Sequence, residues 1–214
     1  MRVALSSGIV LMLAACGSTP ATPDLAAVVP TDAVQTDPAA QAVPEEAVRR
    51  FDQAVADLSE GDLAGAEQEL NALAAEYPTY SGPPLNLGIL HAKAGRLRQA
   101  EQALREAVAR NDANAAAYNE LGIVYRRLGR FAEADEAYGH AVRVDPQYAP
   151  AYLNLGVLCD LYLQQPRRAL EAYERYLALA ATPDEKVGQW VAELRRRLGA
   201  GPQAARTEAA EDGA

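Results

Sequence analysis

Between Ala115 and Leu128 the apolar side chains fall at Tyr118, Leu121, Val124, Tyr125 and Leu128. Steps of three and four place them on one face of a helix. Gly129 follows, where the chain must turn through a left-handed conformation that glycine adopts freely. A second stripe then runs through Phe131, Ala134, Ala137, Tyr138, Ala141 and Val142. Pro146 stops it, because proline cannot continue the hydrogen-bond ladder. Gly122, Ala134 and Ala141 are small enough to let the two helices approach closely, and Tyr138 fills the gap beside them. The pattern predicts a helical hairpin.

The hairpin is repeated. Four blocks begin at Ala47, Ser81, Ala115 and Ala149, a spacing of 34 each time. The second block restates the pattern with Leu87, Gly88, Gly95, Leu97, Ala100, Leu104 and Ala107. The fourth has Tyr152, Leu155, Gly156, Ala169 and Tyr173, the last two displaced by one inserted residue near Gln164, Gln165 and Pro166. The first keeps Ala54, Gly61, Leu63, Ala66, Leu70 and Pro78. Over residues 47–183 this resembles the tetratricopeptide repeat, a helix–turn–helix unit with small and large residues at these offsets. The resemblance implies an all-α fold, a right-handed α-solenoid of four hairpins at 47–80, 81–114, 115–148 and 149–183. A single hairpin cannot bury both faces, so neighbours must stack.

Residues 184–198 place Val187, Trp190, Val191, Leu194 and Leu198 on one helical face. Asp184 and Glu185 near the start and three arginines near the end suit the helix dipole. This segment reads as a C-terminal capping helix whose Trp190 packs on the fourth repeat, completing a domain over 47–198. A tryptophan on an amphipathic helix also fits a membrane-surface segment. The need of a terminal repeat for a cover favours the cap.

Charge divides unevenly. The chain has 29 acidic and 20 basic side chains among 214 residues. Residues 17–46 hold five acids, five prolines and no base. They lack a helical stripe and cannot bury enough surface to offset chain entropy, which predicts a disordered tether over 16–46. As a flexible coil it would reach about 30 Å, and further with its prolines. Residues 199–214 read as a second unstructured tail. Between them acids and bases nearly balance, without the basic footprint of a nucleic-acid binder.

The first sixteen residues carry a different pattern. Arg2 is followed by a mostly apolar run from Val3 to Ala15, the outline of a secretory signal over 1–15. That run is shorter than the roughly 20 residues a spanning helix needs. Its end, Leu13, Ala14, Ala15 and Cys16, resembles the lipobox of bacterial lipoprotein signals. The resemblance implies cleavage before Cys16 and acylation of that cysteine, while an ordinary signal with a chance cysteine is the bland alternative. Each buried methylene contributes about 0.8 kcal/mol, so several chains hold a protein on a membrane where one would not. Gly17, rather than aspartate, leans the location toward the outer membrane. Lipidation of Cys16 leaves Cys159 without an internal disulfide partner.

Catalytic chemistry is sparse. His91 and His140 stand at non-equivalent repeat positions, and no metal-ligand spacing appears. Cys159 shares the repeat position of Tyr125 and His91, which predicts burial as a small hydrophobe. Phosphate-loop, nucleophile-elbow and dinucleotide motifs are missing. The pattern predicts no enzyme, cofactor, metal, nucleic acid or small-molecule substrate.

Function then falls to the surface. In the tetratricopeptide family the first helices line a concave groove that receives a segment of another protein. Carried over, the groove presents Phe51 and Val55, then Leu85, Asn86 and Ile89, then Asn119, Ile123, Arg126 and Arg127, and finally Leu153, Asn154 and Val157. The asparagines would serve a peptide backbone or, alternatively, local hydrogen bonds. Arg126 and Arg127 would offer charge-assisted bonds to an acidic group. The Lys and second Asn expected of the family's carboxylate clamp are missing, which disfavours chaperone tails. The expectation is a lipid-anchored periplasmic adaptor for an envelope protein partner, with a self-associating scaffold or a wall-modifying enzyme as alternatives.

Overall fold

The structure is a computed structural model that describes residues 43–182 and 184–199. The signal at 1–15, Cys16, most of the tether and the tail beyond Gly199 lie outside the described residues. Among those described there are helices and connecting turns: α1 (Glu45–Glu60), α2 (Leu63–Glu76), α3 (Gly82–Lys93), α4 (Leu97–Arg110), α5 (Ala115–Arg127), α6 (Phe131–Val144), α7 (Ala149–Leu161), α8 (Pro166–Leu179) and α9 (Glu185–Gly199). α1 starts two residues before the expected domain edge. Glu45 and Glu46, assigned above to the tether, form its first turn, where carboxylates favour the positive end of the helix dipole.

The four hairpins are α1–α2, α3–α4, α5–α6 and α7–α8, and each second helix packs on the next first helix. The last three hairpins close because a glycine on the first helix faces a bulky side chain on the second, and α1 has Ala54 at that position. A Cβ on Gly122 would stand 2.5 Å from Tyr138 Cε1, and one on Gly156 2.5 Å from Tyr173. Gly88 meets Leu104 in the same way, at 2.4 Å. Tyr138, Tyr173 and Leu104 are among the fully buried side chains. Gly129 takes the expected left-handed turn with φ 75°. The residue inserted in the fourth repeat is absorbed in the α7–α8 turn, where Gln164 adopts φ 53° in place of a glycine.

The core runs across repeats rather than within them. One cluster joins Leu85 and Leu104 to Leu121, Tyr138 and Leu158, and another joins Phe51 and Leu70 to Leu87 and Ala103. At the C-terminal end Val187, Val191 and Leu194 are buried against the fourth repeat. Trp190 lies 5.4 Å from the Tyr173 ring, as a cap requires.

Polar ties follow the same period. Arg96 bonds Glu67 at 2.7 Å, Arg130 bonds Glu101 at 2.8 Å, and Arg168 bonds Asp135 at 2.7 Å. Glu67, Glu101 and Asp135 are equivalent residues of successive repeats, each joined to the next. Arg110 donates to the carbonyls of Ala74, Tyr77 and Tyr80, covering the end of α2 from the neighbouring hairpin.

Gly122→Ala should destabilise the protein by about 1–3 kcal/mol, since the ring of Tyr138 must shift to admit a methyl group. Urea unfolding checks this, with Gly188→Ala, where a Cβ meets nothing within 4 Å, as the reference expected to lose no stability.

Candidate functional site

The residues carried to the groove are placed on four first helices, α1, α3, α5 and α7. Their burial differs from the expectation of a freely presented surface. Phe51, Leu85, Asn86, Ile89, Asn119, Leu153, Asn154 and Val157 are buried. Val55, Ile123 and Arg126 are half-buried, and Arg127 is exposed. The reason is partly visible: α3 touches α5 and α5 touches α7, so residues facing along the groove also meet the next first helix. Phe51 serves the core through a ring contact with Tyr80 at 5.2 Å.

The asparagines are engaged locally on their donor side. Asn86 Nδ2 donates to Gly82 O at 3.1 Å. Asn154 Nδ2 donates to Asn119 Oδ1 at 2.9 Å, and Asn119 Nδ2 donates to Glu120 Oε1 at 3.2 Å. The result is a short relay from α7 to α5 that ends on a carboxyl group. Asn86 Oδ1 and Asn154 Oδ1 are left buried with no hydrogen-bond partner. A buried acceptor without a donor carries a desolvation cost of about 1–3 kcal/mol.

Arg127 makes a contact that its sequence position did not show. Its Nη1 donates to Ala92 O at 2.6 Å, so its guanidinium covers the end of α3. Arg126 makes no ion pair among the described residues, and neither does Lys93.

Two carboxylates went unnoticed in the sequence reading. Asp52, Asn86, Glu120 and Asn154 are 34 residues apart and occupy the same place in four first helices. Burial pushes the Glu120 carboxyl up to about 7, against the opposing effects of the Asn119 hydrogen bond and the Lys93 charge. The period that located the repeats also marks this row. It was missed because the row mixes acids with amides.

Two cavities open between the helices, and the smaller one touches groove residues. One of about 160 Å³ is bounded by Leu58, Leu63, Asn86, Ile89, Leu90 and Lys93. The other, about 510 Å³, lies between the α7–α8 turn and α9, with Asp160, Leu161, Gln164, Trp190, Glu193 and Arg197 on its walls. Arg197 holds Asp160 at 2.7 Å across it.

The remaining chemistry-bearing groups are packing elements. His91 is buried 3.9 Å from Glu67, and burial holds its imidazole below the usual range. His140 stacks on Tyr118 at 5.0 Å. The Cys159 thiol is buried, free and pushed upward by desolvation, as its repeat position predicted. Among the described residues no cluster of His, Cys, Asp and Glu is arranged to hold a metal ion, and no helix is long and apolar enough to cross a membrane.

Two tetratricopeptide-repeat family models match residues 57–122 and 112–182. The chain is a tetratricopeptide-repeat protein. Its solenoid is similar to that of pilF of Pseudomonas aeruginosa, with a TM-score of 0.64, 21% identity and coverage of 72% of this chain and 69% of the other. It also resembles MamA, with a TM-score of 0.60, 23% identity and coverage of 72% and 88%. A thermophilic tetratricopeptide protein of Thermus thermophilus gives 0.57, 24%, 72% and 83%. At these identities the likeness concerns the fold. A comparison with curated proteins gives no match. Repeats of this family act as protein-interaction modules, and the described solenoid presents the same kind of helical surface.

Because Glu120 is held protonated at pH values where an unfolded glutamate is ionised, it favours the folded state most below about 4.5, the ordinary value. That contribution fades as pH rises through about 7. Glu120→Gln should therefore raise the melting temperature at pH 8 relative to wild type and leave it nearly unchanged at pH 4, as thermal unfolding at the two pH values will show.

Proposed function

We propose that this protein is a lipid-anchored periplasmic adaptor that binds a protein partner in the bacterial envelope along its first helices. The observation that carries the binding half is the pair Ile123 and Arg126 on α5, both still partly open to solvent, with Arg126 in no ion pair among the described residues. They form a mixed apolar and cationic surface on a first helix.

The anchoring half rests on the apolar run ending in Leu13, Ala14, Ala15 and Cys16. Lipidation of Cys16 would hold the solenoid near a membrane on a proline-rich tether, with Gly17 favouring the outer membrane. Such an adaptor would support assembly or regulation of an envelope complex. It needs no cofactor and performs no catalysis, and a hydrolysis assay on wall polymer tests that directly.

A self-associating scaffold is the second reading. Leu161, with 54% of its surface exposed, and Tyr162, with 39%, lie beside the larger cavity and would be covered in an assembly of copies. Light scattering across a concentration series separates it from a monomeric adaptor.

Cys16→Ser should move the protein from the membrane fraction to the soluble fraction; sedimentation with membranes would overturn the anchor. Crosslinked affinity purification from native envelopes should recover a discrete partner with wild type. Recovery should fall at least about tenfold with Ile123→Asp combined with Arg126→Glu, while circular dichroism remains helical. Unchanged recovery would rule out the groove.

A further inference from the structure

Several helix ends meet along one edge of the solenoid. Arg127, at the end of α5, reaches Ala92 O near the end of α3 at 2.6 Å. The ring of Phe131, at the start of α6, lies 4.8 Å from that of Tyr162, just past the end of α7. Arg197, in the last turn of α9, bonds Asp160 of α7 at 2.7 Å. This edge carries the turns of the last three hairpins and the final turn of α9.

Its charge is arranged in a way that helix formation does not ask for. Lys93, Arg98 and Arg167 are exposed there and enter no ion pair among the described residues. Arg98 and Arg167 sit in the first turns of α4 and α8, which hold no acid. A cation at that end of a helix opposes the helix dipole, so helix stability accounts for neither arginine. The opposite edge differs. Glu45, Glu46, Asp112, Asp145, Asp184 and Glu185 stand at or shortly before the starts of α1, α5, α7 and α9. The turn of the first hairpin is acidic too, with Asp57, Glu60 and Asp62, so the basic stretch belongs to repeats two to four.

Apolar surface stands beside these cations. At the end of α7, Leu161 keeps 54% of its surface exposed and Tyr162 39%. Leu161 also borders the cavity of about 510 Å³, with Trp190 and Arg197 on its other walls. The cations are spread over three successive turns rather than gathered in a cleft, which suits an extended charged surface. Aromatic and aliphatic tips among lysine and arginine match the boundary of an anionic bilayer, where the tips enter the headgroup layer and the cations meet phosphate.

We propose that the turn edge of repeats two to four lies on an anionic phospholipid surface. Lys93, Arg98 and Arg167 face the phosphates, and Leu161 and Tyr162 enter the headgroup layer. The inference deepens the anchoring half of the adaptor reading and rests on it for the nearness of a membrane. A tether joining α1 at the opposite edge, with a reach of about 30 Å, exceeds the length of α1, about 24 Å. A lipidated Cys16 and this edge can therefore meet the same leaflet.

The test is binding of full-length Cys16→Ser, which has no thiol to acylate at that position, to vesicles of phosphatidylcholine with and without phosphatidylglycerol. Trp190 is the chain's one tryptophan. Quenching of its fluorescence by brominated phosphatidylglycerol reports contact near this edge and is blind to insertion of the N-terminal apolar run. The expected result is quenching and co-sedimentation only with phosphatidylglycerol present. Both should fade as added salt shortens the Debye length from about 10 Å to about 3 Å. Arg98→Glu with Arg167→Glu should weaken binding at least about tenfold. Leu161→Ser with Tyr162→Ser should lower the quenching while circular dichroism stays helical. Arg49→Glu with Arg143→Glu, the same charge change on the opposite edge, should bind like its parent.

Vesicle binding that is absent, or unchanged by Arg98→Glu with Arg167→Glu, would overturn the inference, and wild-type sedimentation with membranes would still leave the anchor standing. Equal losses from the two charge variants would overturn it as well, because overall charge alone would then decide binding. Quenching that persists while wild type stays soluble in cells would sink the anchor and spare the edge. If Arg98→Glu with Arg167→Glu keeps its vesicle binding but loses a crosslinked partner, an acidic protein is the occupant and the inference falls. It falls equally if Leu161→Ser with Tyr162→Ser turns an oligomer into a monomer by light scattering, which would make a second copy the occupant.

Discussion

The close approach of two helices inside each hairpin is the constraint on which the rest of this structure depends. Gly88, Gly122 and Gly156 leave no room for a Cβ because Leu104, Tyr138 and Tyr173 lie against their backbones. That contact sets the distance between paired helices, and the distance decides which side chains remain to meet the next hairpin. A bulkier residue at any of these glycines would alter the stacking surface as well as the hairpin. The large rings are used twice. Tyr173 closes its own repeat and also supports Trp190 of the capping helix.

Stacking then supplies the burial that one hairpin lacks. The core clusters join residues from neighbouring repeats, so stability is shared between intrinsic and interface contributions. The periodic ion pairs Arg96–Glu67, Arg130–Glu101 and Arg168–Asp135 run along this stack. They are partly exposed, and pairs of that kind contribute at most about 1 kcal/mol each. Each arginine meets the carboxylate of the preceding repeat, so the pairs follow the register of the stack.

The same geometry shapes the candidate site. Adjacent first helices meet, so Leu85, Ile89, Leu153 and Val157 are buried rather than offered freely to a partner. What the first helices leave open to solvent among the groove residues is narrower than a wide apolar trough: the half-buried Val55, Ile123 and Arg126 and the exposed Arg127.

Residue spacing alone determined the number of repeats, the turns at Gly61, Gly95 and Gly129, the cap through Trp190 and the burial of Cys159. These features follow from local periodicity and from the lack of a Cβ, which a linear pattern expresses directly. Other features are invisible in one dimension because they depend on which side chain reaches across to which repeat. The local pattern does not single out Asp135, yet it receives two hydrogen bonds from Arg168. Arg127 reads as a groove residue, and only the fold shows that it also closes the end of α3. Glu120 and Lys93 went unremarked, although the period of 34 contained them. Their roles emerge only when α3, α5 and α7 lie side by side, because burial and charge pairing are properties of three-dimensional neighbours and sequence order does not encode who those neighbours are.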